Sequence, residues 1–140
     1  MIAIDTNVLL RYLLADDTVQ HNKAAFTIKS SQSVLITDIV LVETIWTLTG
    51  QRYKLDKQAT CELLRSLIGD SLFIYEDVNT IWSALRDYEE ASAVRGKKLD
   101  FPDALINQKA KYVARLKGKK LTAFYSFDKA VEQLSAAKIL

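Results

Sequence analysis

The chain has little of the chemistry that cysteine, histidine and glycine-rich loops provide. Its 140 residues contain one cysteine, one histidine, one proline and four glycines. The lone Cys61 excludes an internal disulfide and a cysteine-based zinc site. The lone His21 excludes paired-histidine hydrolysis and leaves a nucleophilic triad without an obvious base. Phosphate-loop and dinucleotide-binding motifs, GxxxxGK(S/T) and GxGxxG, are both absent.

Long apolar runs and a strong net charge are absent as well. No stretch approaches the roughly 18 apolar residues of a membrane helix, and the chain opens with a strand-like segment instead of a cationic leader. We therefore expect a soluble, cytoplasmic protein with no membrane partner. The net charge of +2 is too small to indicate nucleic-acid binding, but Lys109 to Lys120 carries six Lys/Arg and no acid. This run predicts a basic face.

Short strand-like segments alternate with helical segments along the whole chain. Four segments have the character of strands: 2–5, 33–37, 71–76 and 121–126. The segments between and after them predict helices: 7–14, 18–30, 38–48, 56–68, 79–94, 101–117 and 128–134. This alternation predicts an α/β fold with a parallel sheet flanked by helices. The length favours a single domain over residues 1–140.

Four acidic residues follow the predicted strands. Asp5 ends the first strand, and Glu43 lies early in the helix after the second. Asp103 opens the helix 101–117, and Asp128 comes just after the last strand of the four. Ligands of parallel sheets bind at the edge where the strands end. We therefore expect these four carboxylates to converge on one site.

Each acid also has a purely structural interpretation. Asp5 and Asp128 suit the N-caps of the helices that follow them, and Asp100 is the predicted N-cap of the helix that contains Asp103. Glu43 is the only charge from Ile39 to Leu48, where seven of ten residues are apolar. A helix this apolar is typically buried, so we expect a buried Glu43 whose charge is compensated.

A site made only of carboxylates favours hard divalent ions such as Mg²⁺ or Mn²⁺. Such an ion relieves the repulsion between the acids, activates water and stabilises charge on a phosphoryl oxygen. Asn107 lies one turn after Asp103 and is a candidate to hold a water molecule of the metal. In the basic run, Lys117, Lys119 and Lys120 are candidates to bind an RNA backbone, although a solvated helix face explains the same pattern.

Four motifs, in this order, resemble the PIN domain: "IDTNVLLRYL", "LVETIWTL", "LDFPDALI" and "TAFYSFD". They are most similar to the VapC-type toxins of toxin–antitoxin pairs. The resemblance implies a three-layer α/β/α sandwich with a central parallel sheet. It also implies a Mg²⁺- or Mn²⁺-dependent endoribonuclease that blocks translation by cutting RNA. The expected partners are a second copy of the chain, in a homodimer, and a small antitoxin whose tail inhibits the site.

The resemblance also assigns roles to individual residues. The acids that it makes catalytic and metal-binding, with one or two ions, are Asp5, Glu43, Asp103 and the more variable Asp128. Thr6 and Ser126 match the small hydroxyl positions beside the first and last acids. The usual DALIAA segment is DALINQ here, so Asn107 and Gln108 replace small residues and change how this helix packs.

Two other functions stay open from the sequence. The first keeps the fold and makes the protein a non-toxic PIN-type nuclease for RNA processing, or an inactive binding module. The second is a Mg²⁺-binding phospho-receiver domain, which expects an acidic pair directly after the first strand. Here that strand ends in one acid, and the pair Asp16–Asp17 comes a helix later. Glu43 has no role in a receiver domain, so we rank this alternative lower.

Overall fold

Helices and short strands alternate along the computed structural model, which describes residues 1–140. The strands are β1 (Ile2–Ala3), β2 (Val34–Ile36), β3 (Phe73–Tyr75), β4 (Phe124–Ser126) and β5 (Ala137–Ile139). The α-helices are α1 (Thr6–Leu14), α2 (Thr18–Lys29), α3 (Asp38–Thr49), α4 (Lys57–Gly69), α5 (Val78–Glu90) and α6 (Phe101–Leu116). A 3-10 helix covers Lys129–Gln133. No helix combines the length and apolarity needed to cross a bilayer.

All the paired strands run parallel, which confirms the predicted α/β fold. The first sheet has the order β1-β2-β3, with Val34 opposite both Ile2 and Phe73. The second sheet pairs β4 with β5, with Phe124 opposite Ala137. Parallel neighbours require crossover connections, and the helices between the strands provide them.

The chain forms two compact units. The N-terminal unit, Met1–Val78, contains the three-stranded sheet and α1 to α4. Its fully buried side chains include Leu9, Ile28, Val34, Ile36, Leu41 and Leu64. The C-terminal unit, Asn79–Leu140, contains the two-stranded sheet, α6 and nearly all of α5. Its fully buried side chains include Ile81, Ala84, Ala104, Ala130 and Val131. That residues 1–140 act as one domain stays a prediction.

Aspartates cap the starts of several helices, as the sequence predicts for Asp5. The carboxylate of Asp5 accepts the N–H of Val8 at 2.8 Å at the start of α1. Asp17 and Asp56 accept equivalent bonds at the starts of α2 and α4. Such a cap pairs a backbone donor that has no partner within the helix, and it fixes where the helix begins.

The predicted and observed elements differ mainly in the second half of the chain. The helix predicted over 79–94 ends at Glu90. Beyond it, Val94 and Lys97 pair across a tight turn in which Gly96 has φ +77°. The last predicted helix is a short 3-10 helix, and β5 was not predicted. Three half-buried or exposed residues carry too weak a pattern to reveal a strand; only pairing with β4 defines it.

Candidate active site

The first candidate acid, Asp5, lies two residues after β1 and caps α1. Its Oδ1 accepts the N–H of Val8 at 2.8 Å, so the capping interpretation is confirmed. The side chain is exposed at the start of the helix. A negative charge near a helix N-terminus interacts favourably with the helix dipole. The cap therefore also keeps this carboxylate in a fixed place.

The second candidate acid, Glu43, is exposed, so the prediction that it is buried is wrong. It shares one face of α3 with Ile39 and Trp46, which are 71% and 69% exposed. The spacing of four and three residues puts all three on the same side of the helix. The side chains that α3 buries are on its other side: Leu41, Thr44, Ile45 and Leu48. Composition alone did not reveal that the apolar residues of this helix are divided between core and surface.

A hydrogen bond links the starts of the first and second motifs. The hydroxyl of Thr6 donates to Oε2 of Glu43 at 2.5 Å, joining α1 to α3. The resemblance placed Thr6 beside the first acid in the chain, and the structure also brings it to the second. The bond orients the carboxylate of Glu43, which is otherwise free to turn on an exposed helix face.

Two cavities open beside these residues within the N-terminal unit. One has a volume of about 510 Å³, and Thr6 and Glu43 are in its wall. The other, of about 530 Å³, has Asp5 in its wall. Asn7 and Arg11 line both cavities. Asp5 and Glu43 therefore flank one short stretch of α1, on adjoining cavities.

In the C-terminal unit, three carboxylates influence one another. Burial raises the pKa of Asp103 above its usual value, and the negative charges of Asp100 and Asp128 raise it further. The pKa of Asp100 is also raised, first by burial and then by the charge of Asp128. We call these three residues the acidic group. Asp103 and Asp128, both predicted site residues, are thus close enough for their charges to interact.

Asp100 is a candidate that the sequence interpretation missed. It occupies the N-cap position of α6, as predicted, but its carboxylate makes no capping hydrogen bond. Only its backbone carbonyl contributes, accepting the N–H of Asp103 at 3.2 Å. Its side chain instead belongs to the acidic group. The signal was present in "LDFPD", where two acids three residues apart begin one helix.

Asp128 is fixed on both sides by local hydrogen bonds. Its Oδ1 accepts the N–H of Ala130 at 2.8 Å at the start of the 3-10 helix, which confirms the predicted cap. Its own N–H donates to Oγ of Ser126 at 2.9 Å. Ser126 is the hydroxyl residue that the resemblance placed beside this acid. It holds the backbone of the acid, whereas Thr6 holds the carboxylate of Glu43.

The two amides that replace small residues in α6 donate hydrogen bonds within the C-terminal unit. Asn107 is fully buried, and its Nδ2 donates to the carbonyl of Ser135 at 3.1 Å. Nε2 of Gln108 donates to Oδ2 of Asp87 on α5 at 2.5 Å. The departure from the family pattern thus gives α6 two polar contacts in place of close small-residue packing. A role of Asn107 toward a metal stays a prediction.

The basic run lies at the C-terminal end of α6. Lys117, Lys119 and Lys120 are exposed. Earlier in the helix, the ammonium of Lys109 lies 5.4 Å from the centre of the Tyr112 ring. A base that stacks on Tyr112 would have to displace that ammonium. Binding of RNA by the three exposed lysines stays a prediction.

The family model of the PIN domain matches residues 2–136, nearly the whole chain. The protein belongs to the PIN domain family. Comparison with curated protein sequences gives no significant match. PIN domains are in general Mg²⁺-dependent nucleases, so the family match supports a metal-dependent nuclease fold for this chain.

The donor atoms of this PIN domain suit the divalent ion that the family typically binds. The predicted ligands are carboxylates, and carboxylate oxygens are the ligands that Mg²⁺ and Mn²⁺ prefer. The raised pKa values of Asp100 and Asp103 come partly from like charges, which a cation would relieve. No three His, Cys, Asp or Glu side chains are grouped so as to hold an ion. The convergence of all four predicted acids on one ion site stays a prediction.

Proposed function

We propose that this PIN domain is a Mg²⁺- or Mn²⁺-dependent endoribonuclease that hydrolyses phosphodiester bonds within RNA. The observation that carries the proposal is the match of the PIN domain model to residues 2–136, and the acidic group supports it. Burial and like charge raise the pKa of both Asp100 and Asp103, so holding these charges together has a free-energy cost in the metal-free protein. In a PIN domain, a divalent cation bound between these carboxylates and a phosphodiester of the substrate would offset that cost.

The residues proposed to bind the ion or ions are Asp5, Glu43, Asp103 and Asp128, with Asp100 as an added candidate. When bound, a divalent ion lowers the pKa of water and stabilises the negative charge that develops on a phosphoryl oxygen. The chain needs no histidine for this chemistry. Its contribution is to present carboxylate oxygens at fixed positions.

Hydrogen bonds from neighbouring residues determine where those oxygens point. The hydroxyl of Thr6 donates a hydrogen bond to Oε2 of Glu43, so this carboxylate is oriented. Asp5 is held through Oδ1 by the N–H of Val8, and Asp128 through Oδ1 by the N–H of Ala130. In each case one carboxylate oxygen has a protein donor, and the other is the oxygen proposed to face the ion. Preorganised ligands of this kind avoid reorganisation during the reaction.

We further propose that the enzyme is the toxin of a toxin–antitoxin pair, acts in the cytoplasm as a homodimer and is inhibited by a small antitoxin. The exposed apolar side chains of Ile39 and Trp46 support a protein partner, because apolar surface on one helix face is favourable to cover. A non-toxic PIN-type RNA-processing nuclease is the second candidate. A small antitoxin reading frame beside the gene favours the toxin, and its absence favours the processing enzyme.

The deciding experiment is cleavage of a structured RNA pool with Mg²⁺ or Mn²⁺, compared with EDTA. The matched variants are Asp5→Asn, which keeps a side-chain cap acceptor, and Asp103→Asn. Metal-dependent cutting that both variants lose supports the nuclease. A folded, metal-binding protein that cuts no RNA in the pool contradicts it and favours an inactive PIN-type binding module.

A further inference from the structure

The cavity beside Glu43 carries two arginines as well as the carboxylate. It is formed by α1, α3 and the turn after α3, within the N-terminal unit. Thr6 and Glu43 are in its wall, together with Arg11, Arg52 and Tyr53. Its volume of about 510 Å³ is in the range of small-ligand sites. One cavity therefore contains a predicted metal-binding carboxylate and the guanidinium groups that suit an anion.

The two arginines differ in how their charges are compensated. Nη1 of Arg11 lies 2.8 Å from Oδ1 of Asp16, so this charge is already paired. The guanidinium of Arg52 forms no salt bridge and lies 5.2 Å from the centre of the Tyr53 ring. The hydrogen bond and charge of Arg11 lower the pKa of Asp16, and the charge of Arg52 also lowers it, but less. Ring stacking fixes the plane of a guanidinium but leaves its N–H donors available at the edge. Arg52 is therefore the group in this cavity with unused capacity for an anion.

We infer that this cavity binds a backbone phosphate of the RNA strand, next to the phosphate that is cut, through the guanidinium of Arg52. The inference rests on the proposed function and adds a substrate contact to it. A guanidinium fork matches two phosphate oxygens, which makes arginine the preferred partner of phosphate. Because Glu43 is in the same cavity wall, an RNA strand whose phosphate binds Arg52 also lies close to that carboxylate. Arg11 contributes less, since Asp16 neutralises it.

The test measures RNA binding without cleavage. A fluorescent single-stranded RNA of about 10 nucleotides is titrated with the full chain in EDTA, and anisotropy is followed over a range of salt concentrations. Arg52→Gln removes the guanidinium, and Arg52→Lys keeps the charge but loses the fork. Lys54→Gln is the matched control, because it removes one exposed positive charge two residues away and outside the cavity. Circular dichroism checks that each variant is folded.

The expected result is that Arg52→Gln weakens binding about tenfold, as loss of a charged hydrogen bond does. It should also lower the salt slope by about 0.7, the value for one phosphate contact on a single strand. Arg52→Lys should keep the slope and recover only part of the affinity. Lys54→Gln should bind like the wild type. Equal losses in Arg52→Gln and Lys54→Gln, or no loss in either, would overturn the inference.

A further arm separates this inference from the proposed function and from another ligand. Arginine-dependent RNA binding in a chain that cuts no RNA with Mg²⁺ or Mn²⁺ would refute the nuclease and keep the phosphate site. Metal-dependent cleavage that substitution of Arg52 leaves unchanged would support the nuclease and refute the phosphate site. As a competitor, a poly-glutamate peptide is compared with unlabelled RNA of equal charge. If the peptide displaces the labelled RNA as well as the unlabelled RNA does, and Arg52→Gln weakens both competitors, the ligand is an acidic peptide and the RNA assignment is wrong.

Discussion

The hydroxyl of Thr6 and the carboxylate of Glu43 are joined by a 2.5 Å hydrogen bond, although 37 residues separate them in the chain. The bond connects the first turn of α1 to the exposed face of α3. It therefore couples the motif that contains Asp5 to the motif that contains Glu43. A carboxylate on an exposed helix face is free to rotate, and this hydrogen bond fixes its orientation.

Replacing Thr6 by Val tests that coupling. The variant keeps the shape of the side chain and removes the donor to Glu43, so divalent-ion affinity should fall several-fold while Thr6→Ser stays near the wild type. The stability cost should be about 1 kcal/mol or less, because the bond is exposed. Calorimetric titration with Mn²⁺ and urea unfolding measure the two effects. Equal Mn²⁺ affinity in Thr6→Val and the wild type would show that the hydroxyl does not orient the carboxylate.

Two substitutions at Asp5 separate capping from chemistry. Asp5→Ala loses the acceptor for the N–H of Val8 and should lower the free energy of unfolding by about 1 kcal/mol. Asp5→Asn keeps an acceptor and should unfold close to the wild-type midpoint. Both should lose metal-dependent cleavage, because both lose the negative charge. Full cleavage by Asp5→Asn would assign this residue to capping alone.

The acidic group predicts how the stability of the metal-free protein depends on pH. The folded-state pKa of Asp103 lies above its ordinary value of 3.8, because burial and then Asp100 and Asp128 disfavour the charged form. As pH rises through this window, the unfolded chain releases the proton first, so this group lowers stability increasingly until its folded pKa is passed. Asp103→Asn should therefore be more stable than the wild type at neutral pH in EDTA, with the difference vanishing below pH 3.8. Urea midpoints from pH 3 to pH 7 measure it, and a pH-independent difference would contradict the assignment.

Asn107 should be important for stability. Its buried amide donates to the carbonyl of Ser135, and Asn107→Ala would leave that carbonyl without this donor and open a small void. The expected loss is about 1 kcal/mol of unfolding free energy, because the buried Oδ1 of Asn107 has no hydrogen-bond partner and its removal offsets part of the cost. Gln108→Ala, whose partner Asp87 is only half-buried, should lose less. Urea unfolding of both variants compares them, and a smaller loss for Asn107→Ala than for Gln108→Ala would be the opposite result.

The basic run after α6 can be tested through the salt dependence of RNA binding. Combined replacement of Lys117, Lys119 and Lys120 by Gln should weaken binding and reduce the salt slope by about 0.7 for each phosphate that these lysines neutralise in the wild type. Combined replacement of Lys29, Lys54 and Lys138 by Gln, three exposed lysines outside the run, is the control for the same loss of net charge. Anisotropy titrations from low to moderate salt give the slopes. A slope that does not change in the triple variant would identify this run as a solvated helix face.

Much of the fold could be predicted because it rests on local signals. Asp5, Asp17 and Asp56 precede helices and cap them, and the apolar segments before Asp5 and after Ser33 form strands. Caps and apolar runs depend on only a few neighbouring residues, so they can be recognised from the sequence alone. The order of acids along the chain and the four family motifs are likewise properties of the sequence alone.

Other features were decided only by tertiary structure. Glu43 is exposed because α3 buries one side and presents the other, and no composition count distinguishes the sides. Asp100 occupies a cap position without capping, and its carboxylate interacts with Asp128, which is distant in the chain. β5 exists because β4 pairs with it. Each of these depends on which distant groups meet, and that is determined by packing of the whole chain rather than by the residues themselves.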